Sequence, residues 1–205
     1  MTSRRWGGAL WIGCLQFFAV EAIAAARFAG PYSYRRNYIS DLGALSCSEN
    51  CSPLHALMNA SFGLQGVLIF AGAVVVWPLF PRGALSRLAL GLVAASGFGV
   101  ALVGLAPEDF APGWHYLGAA ENLLFCNAGA ALLGVALLRE GTAPRVIGLL
   151  SLGFGLLGLA GFTGLALGHE FGLGSGGVER LAAHPFPLWI AGMGAWLLSG
   201  GKSRP

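Results

Sequence analysis

Long apolar stretches alternate with short polar segments along the whole chain. A helix needs about 20 mostly apolar residues to cross the hydrocarbon core of a bilayer. Six stretches are long enough, over residues 6–29, 54–80, 88–106, 115–138, 146–168 and 181–199. Prolines such as Pro81 and Pro112 lie in the connections, where they end helices. The pattern predicts an all-α fold, a polytopic membrane protein built as one compact bundle of six transmembrane helices in a single domain, residues 1–205.

The charged residues divide the connections into two kinds. Eight of the twelve basic residues fall near the termini and in the even-numbered connections, where Glu140 is the one acid. The odd-numbered connections carry six acids and all four histidines lie beside them. Because cytoplasmic connections are rich in Lys and Arg, we expect both termini to be cytoplasmic, in the cytoplasmic (inner) membrane of the host. The acid-rich connections then face outward.

Composition agrees with a membrane protein and excludes some partners. Only 10% of the residues are charged and mean hydropathy is +0.69, whereas soluble domains are about 25% charged. The 33 glycines suit helices that pack closely in membranes. A net charge of +3 is too slight and dispersed for a nucleic-acid surface. We therefore expect membrane lipids, and no nucleic acid, as partners.

The four cysteines fall into two groups. Cys47 and Cys51 lie in the first outward connection, where a small disulfide loop or two free thiols is favoured over a metal pair. Cys14 and Cys126 lie inside spans, where a packing role is expected.

All four histidines map to the predicted outer boundary: His55, His115, His169 and His184. Imidazoles beside carboxylates can bind a metal or perform acid–base chemistry, although polar residues also belong at membrane interfaces for their own sake. A zinc site built from three of these histidines and Asp41 is conceivable. Nothing in the spacing requires it, so no metal is predicted.

Four polar residues lie deeper. Glu21 is about 12 Å and Glu121 roughly 9 Å below the outer boundary, at 1.5 Å per residue, and Asn59 and Asn122 lie at comparable depth. Ionisable groups at such depth need pairing, protonation or water. A polar pocket opening outward and a purely structural hydrogen-bond role are equally consistent with them. Glu21 has no polar neighbour close by on its own helix, so we expect its partner to be Asn59, Asn122 or Glu121.

Two outward connections are longer than a simple turn. The first contains Arg35 and Arg36, which break the charge pattern and call for anionic partners: Asp41, lipid phosphates or a substrate. Ser40 and Asp41 can also simply cap a helical turn. The last connection, 168–187, is rich in glycine and is expected to be a flexible lid or a backbone segment packed against the bundle.

A series of short motifs resembles one known family, the six-span membrane proteins catalogued as domain of unknown function 998. The motifs are Asn37-Tyr-Ile-Ser-Asp-Leu-Gly43, His55-Ala-Leu-Met-Asn59, Gly104-Leu-Ala-Pro-Glu108 before His115, and Glu179-Arg180 ahead of Pro185 and Trp189. The resemblance covers most of the chain and implies a compact six-helix bundle with no established activity. It favours a site made of Asn37, Ser40, Asp41, Asn59, His115, Glu179 and Arg180. Glu21 and the Cys47–Cys51 pair lie outside the pattern.

The favoured hypothesis is an outward-facing pocket that binds or processes a lipid-like or small amphiphilic molecule. Arg35, Arg36 and Arg180 would hold an anionic head group, and Asp41, His115 and Glu179 would be the catalytic acid–base residues. The remaining predicted ligand contacts are Asn37, Ser40, His55, Asn59, Glu121, Asn122 and His184. Whether the protein is an enzyme, and whether it uses a cofactor, stays open.

An alternative of a different class is an accessory or assembly subunit of a larger membrane protein complex. Glycine-rich faces on the third and fifth predicted spans offer smooth docking surfaces, unless they pack within the monomer. A proton-coupled transporter that uses Glu21 and Glu121 is a weaker possibility, because neither broken helices nor internal repeats are visible.

Overall fold

A computed structural model describes residues 2–46 and 52–201. Its described residues form helices and no strand. The Cys47–Cys51 pair lies outside them. The eight α-helices are α1 (Thr2–Gly13), α2 (Gln16–Ala26), α3 (His55–Val76), α4 (Ala84–Leu105), α5 (Pro112–Glu140), α6 (Arg145–Leu167), α7 (Ser175–Ala183) and α8 (Pro185–Leu198). Short 3₁₀ helices occupy Ser40–Gly43 and Trp77–Leu79.

Within the described residues, six helical segments are long and apolar enough to cross a membrane, which confirms the predicted all-α bundle. The first is built from α1 and α2 and the last from α7 and α8. Helix α4 packs against both α3 and α5, α5 packs against α6, and α1 packs against α8. Because short connections join the second, third, fourth and fifth spans, these neighbours run antiparallel.

The first span is not the single helix that its hydropathy predicts. Helix α1 ends at Gly13 and α2 begins at Gln16, and the backbone between them tightens. The N–H groups of Cys14 and Leu15 bond to the carbonyls three residues earlier, as in a 3₁₀ turn. The break lies less than two turns before Glu21, which is buried in the bundle.

The last span begins earlier than predicted and is also broken. The last span was predicted to begin at Leu181, but α7 begins at Ser175. Gly174, at φ 79°, makes the turn into α7. The break at His184 precedes Pro185, which lacks the N–H that a continuous helix uses. The expectation that no span is broken was therefore wrong.

Glycines on the third and fifth spans mostly pack inside the bundle. Nine glycines on these two spans were predicted to form docking surfaces. A Cβ on seven of them would contact a neighbouring helix, whereas a Cβ on Gly91 or Gly153 would meet nothing within 4 Å. A Cβ on Gly155 would lie 2.4 Å from the backbone nitrogen of Ala131. These glycines serve helix packing within the monomer, as in other membrane bundles.

The odd-numbered connections meet at one end of the bundle. Asp109, between α4 and α5, bonds to the first connection through the N–H of Leu45 at 3.0 Å. Residues at the start of α7 contact the same connection through Arg35. All four histidines lie at this end, which we call the loop-rich end.

Candidate functional site

A narrow cavity of about 70 Å³ opens between the helices near the loop-rich end. Every span except the fifth contributes to its wall. Most of the wall is apolar, and the polar lining groups are few. The lining residues are Phe17, Ile39, Ser40, Phe62, Gln65, Ile69, Val100, Val103, His115, Ala119, Asn122, Leu123, Cys126, Glu179, Ala183, Phe186 and Pro187.

The cavity is long in relation to its volume. On α3 its lining runs from Phe62 to Ile69, which is about 10 Å at 1.5 Å per residue. Its volume of about 70 Å³ is several times the roughly 10–15 Å³ that one water molecule needs. The cavity can therefore hold several water molecules or a small part of a ligand.

Three polar side chains line the cavity toward the loop-rich end: Ser40, His115 and Glu179. We call them the rim. His115 is buried, and its Nδ1 lies 2.9 Å from the carbonyl oxygen of Ala106. A carbonyl oxygen only accepts, so Nδ1 carries a proton, and Nε2 of the neutral ring is then an acceptor. Two of the three predicted catalytic residues therefore reach the same cavity.

Asp41, the third predicted catalytic residue, does not line the cavity. One of its carboxylate oxygens accepts hydrogen bonds from Asn37 Nδ2 at 3.0 Å and from the N–H of Tyr38 at 2.9 Å. These bonds close a tight turn immediately before the 3₁₀ helix. Glu179 supports the same turn, because its carboxylate accepts a hydrogen bond from the N–H of Ile39. Asp41 and Asn37 thus shape the segment that presents Ser40 to the cavity.

Asp41 also interacts with a second acid, which belongs to one of the family motifs but was not among the predicted site residues. Glu108, in the connection between α4 and α5, is half-buried and shares hydrogen bonds with Ser40 and Asp41. Burial, together with the nearby charge of Asp41, raises the pKa of Glu108 to about 7, although the bond from Ser40 opposes this. When protonated, Glu108 can donate this hydrogen bond to Asp41, next to Ser40 of the rim.

Asp109 binds the first connection from outside. Slight burial acts to raise the pKa of Asp109, but the N–H groups of Leu45 and Ser46 outweigh it and hold that pKa below its usual value. The two bonds measure 3.0 and 2.6 Å. Asp109 therefore stays ionised at neutral pH and holds residues 45–46 against the connection that carries Glu108.

Glu21 has a different partner from those expected. Its two carboxylate oxygens each lie 2.9 Å from a basic group, Arg180 Nε and His184 Nε2. The prediction of Asn59, Asn122 or Glu121 as partner was wrong. It failed because it placed Arg180 in a loop, whereas α7 carries both Arg180 and the following break at His184 into the bundle.

Arg180 is fully engaged with protein groups. Besides Glu21, its guanidinium donates to the carbonyl oxygens of Tyr34, Asn37 and Gly176 at 2.8–3.0 Å and to the hydroxyl of Tyr32. Burial raises the pKa of the Tyr32 phenol despite the opposing charge of Arg180, so this hydroxyl stays protonated and donates to the Tyr38 carbonyl. Arg180 joins the first connection to α2 and α7 and does not line the cavity.

Arg35 and Arg36 do not line the cavity either. Both are exposed, and their backbone carbonyls accept hydrogen bonds from the start of α7, including one from the Ser175 hydroxyl at 2.8 Å. Of the three arginines predicted to hold an anionic head group, none faces the cavity. The positions of the arginines therefore do not favour an anionic ligand in this cavity.

The remaining predicted contacts separate into two groups. Asn122 lines the cavity and donates to the Ser96 carbonyl at 2.9 Å, whereas Glu121, on the next position of α5, lies against Gly99 of α4. His55 and Asn59 bond to the carbonyls of Ser52 and Gly43. His184 lies edge-on to the Phe17 and Phe18 rings. These last three position the first connection and the broken helix rather than the cavity wall.

A chain of amides that was not predicted from the sequence lies at the inner part of the cavity. Gln16 Nε2 lies 3.2 Å from both the Ser61 carbonyl oxygen and Gln65 Oε1, and the Ser61 hydroxyl donates to Gln16 Oε1. Gln65 is buried, lines the cavity, and its Nε2 has no hydrogen-bond partner. A glutamine in the middle of an apolar span was the available signal.

Among residues 2–46 and 52–201, no three or more His, Cys, Asp or Glu side chains are grouped as a metal site would require. His55, His115 and His184 each bond to a different partner, in three separate places.

Comparison with known proteins gives one match. Neither curated proteins nor solved structures match the chain. A family model described as "Protein of unknown function (DUF998)" matches residues 11–196. That range includes every helix of the bundle at least in part, the cavity lining and the rim. The chain is thus an integral membrane protein that belongs to the DUF998 family.

Proposed function

We propose that the cavity binds the polar end and first chain atoms of a linear, small amphiphilic molecule. The observation that carries this proposal is the division of the wall: Ser40, His115 and Glu179 lie at one end, and aromatic and aliphatic side chains cover most of the rest. Ligand sites are typically apolar with a few polar groups that fix orientation. The elongated apolar part of the wall suits a chain, whose polar end would lie at the rim.

The rim chemistry favours a ligand whose polar end donates hydrogen bonds. Glu179 supplies a carboxyl group and His115 an imidazole acceptor, and no Lys or Arg is among the lining residues that the structure describes. Hydroxyl and ammonium groups can donate to such acceptors, whereas a carboxylate or phosphate would lie beside Glu179 without a cationic partner. This revises the anionic head group that Arg35, Arg36 and Arg180 suggested.

We propose that the protein lies in the inner membrane, with the loop-rich end facing outward and both termini in the cytoplasm. The support is the excess of basic residues at the opposite end. Cysteines introduced as Phe110→Cys and Thr142→Cys, in a chain without Cys47 and Cys51, test it. A membrane-impermeant maleimide applied to intact cells is expected to label only the first. Labelling of only the second would reverse the orientation.

Ligand binding can be measured by calorimetry on protein in lipid nanodiscs, with empty nanodiscs subtracted. The probes are 1-decanoylglycerol, decylammonium and decanoate, which differ in the polar end. We expect saturable binding of the first two and weaker binding of decanoate. Glu179→Gln should weaken decylammonium about 10- to 100-fold, since hydrogen bonds to charged groups contribute about 1.5–3 kcal/mol.

Glu140→Gln is the matched control. It makes the same substitution at the opposite end of the bundle, where Glu140 ends α5, and should leave all three affinities unchanged. Equal effects of the two substitutions, or decanoate as the tightest probe, would contradict the proposal.

The accessory-subunit alternative stays a prediction. The packing of its glycines inside the monomer removes the observation that suggested it.

A further inference from the structure

The geometry points to Gln65 as a subsite that recognises a carbonyl oxygen in the ligand, next to its polar end. This inference rests on the proposed function and adds the chemical class of the linkage: an ester or amide between a hydrogen-bond-donating head and an alkyl chain. It depends on the orientation of one amide, on its burial, and on its depth below the rim.

The orientation of the Gln65 amide is fixed by its neighbours. Gln16 Nε2 lies 3.2 Å from the main-chain carbonyl oxygen of Ser61. A carbonyl oxygen only accepts, so the nitrogen of the Gln16 amide must be on that side. The same nitrogen faces the Gln65 amide at 3.2 Å, which must therefore present its oxygen. Gln65 Nε2, with its two N–H groups, is left on the other side.

That nitrogen has no partner in the protein. Gln65 is 3% exposed, and Nε2 is a buried atom without a hydrogen bond. A buried donor without an acceptor is costly, and such groups in native proteins normally bond to water or to a ligand. Because Gln65 lies on the cavity wall, the cavity is where that acceptor belongs.

The depth of Gln65 sets where in a ligand the acceptor lies. Asn59 bonds to Gly43, which ends the 3₁₀ helix that carries Ser40. Gln65 is six residues further along α3, about 9 Å deeper. The ligand forms one hydrogen bond at the rim and one at Gln65, and each bond takes up about 3 Å of this distance. The acceptor is therefore only a few covalent bonds from the polar end, as the ester carbonyl of a monoacylglycerol is from its terminal hydroxyl.

A second amide, that of Asn122, also lines the cavity. One N–H of its amide is used by the Ser96 carbonyl, which is on α4 and outside the cavity lining. Around Gln65 the other lining groups, such as Ile69 and Phe62, are apolar. An acceptor placed there gains a donor that it does not share with bulk water, and an alkyl chain beyond it meets apolar side chains.

The test compares two ligands that differ in the carbonyl alone, 1-decanoylglycerol and the ether 1-O-decylglycerol, by calorimetry on the full chain in nanodiscs. Wild-type protein should bind the ester about 3- to 10-fold more tightly, the effect of one hydrogen bond between neutral groups. Gln65→Met keeps the length of the side chain and removes the donor. It should lose the preference while its affinity for the ether stays within about twofold.

The outcomes separate the two proposals. Equal wild-type affinities for ester and ether, with Glu179→Gln still affecting decylammonium, would overturn the Gln65 subsite alone and assign its donor to an ordered water. A preference for the ester that Gln65→Met retains would also overturn it. If neither glycerol ligand binds the wild-type protein saturably, both proposals fail. The wild-type comparison needs no variant to fold.

Discussion

Replacing Arg180 by leucine removes the charged group that joins three parts of the bundle. The Arg180 and Glu21 side chains are 10% and 4% exposed. Without Arg180, Glu21 keeps His184 as a partner, and the carbonyls of Tyr34 and Asn37 lose a donor. Breaking a buried ion pair by removing one member costs about 3–5 kcal/mol. We expect a loss of that size in the free energy of unfolding.

The expected loss in the free energy of unfolding is smaller than a sum over the hydrogen bonds of Arg180 would give. Arg180 donates to five groups, and at about 1.5–3 kcal/mol for each charged hydrogen bond the sum would be roughly 7–15 kcal/mol. The carbonyls of the first connection lie near the surface and can bond to water once the guanidinium is gone. Glu21 cannot, so its lost partner dominates the cost.

Reversible unfolding in mixed micelles with increasing dodecyl sulfate, followed by circular dichroism, gives the free energies. Arg145→Leu is the control, because Arg145 is exposed at the other end of the bundle, and it should change stability by less than about 0.5 kcal/mol. Adding Glu21→Gln to Arg180→Leu should recover about 1–3 kcal/mol of the expected additive loss. A loss below about 1 kcal/mol for Arg180→Leu, or strict additivity in the double variant, would refute the reasoning.

Two further predictions concern pH and packing. The pKa of Glu108 is raised from its ordinary 4.5 to about 7, so the folded protein binds more protons than the unfolded chain between those values. The free energy of unfolding should fall as pH rises from about 4.5 to 7. When wild type and Glu108→Gln are unfolded across that pH range, the fall should be shallower in Glu108→Gln. Parallel curves of stability against pH would contradict the assignment. A Cβ on Gly66 would lie 2.3 Å from a backbone oxygen of α4, whereas one on Gly91 meets nothing within 4 Å. Gly66→Ala should therefore lower the free energy of unfolding by about 1–3 kcal/mol and Gly91→Ala should leave it unchanged or slightly raised, in the same micelle assay; equal effects would show that the close approach is not needed.

The six spans could be predicted because hydrophobic length alone decides which segments cross a membrane. Helix α7 could not, since its glycines and its charged pair, Glu179 and Arg180, make it less apolar than the other spans. Its helical start depends on Gly174, whose positive φ turns the chain, and on contacts with the carbonyl of Arg35. Those contacts exist only in the folded bundle.

Some of the residues that line the cavity could be predicted from the sequence, and others could not. His115 and Asn122 are seven residues apart, so both lie on one face of α5 and line the cavity, whereas Glu121, on the next position, lies against Gly99 of α4. The partner of Glu21 was missed because sequence spacing does not tell which spans are neighbours. Gln65 was missed because its significance lies in an unpaired nitrogen, which depends on how Gln16 is oriented by Ser61.

The pairing of Glu21 with Arg180 has a consequence for biosynthesis. The two residues are 159 positions apart, so at about 5–20 residues per second the ribosome delivers the arginine roughly 10–30 s after the glutamate. During that interval the first span holds an acidic side chain without its cation. The chain must therefore keep this span neutral, hydrated or sheltered by the insertion machinery until translation reaches its last helix, and a product truncated before that helix would carry a signal for quality control in its own membrane segment.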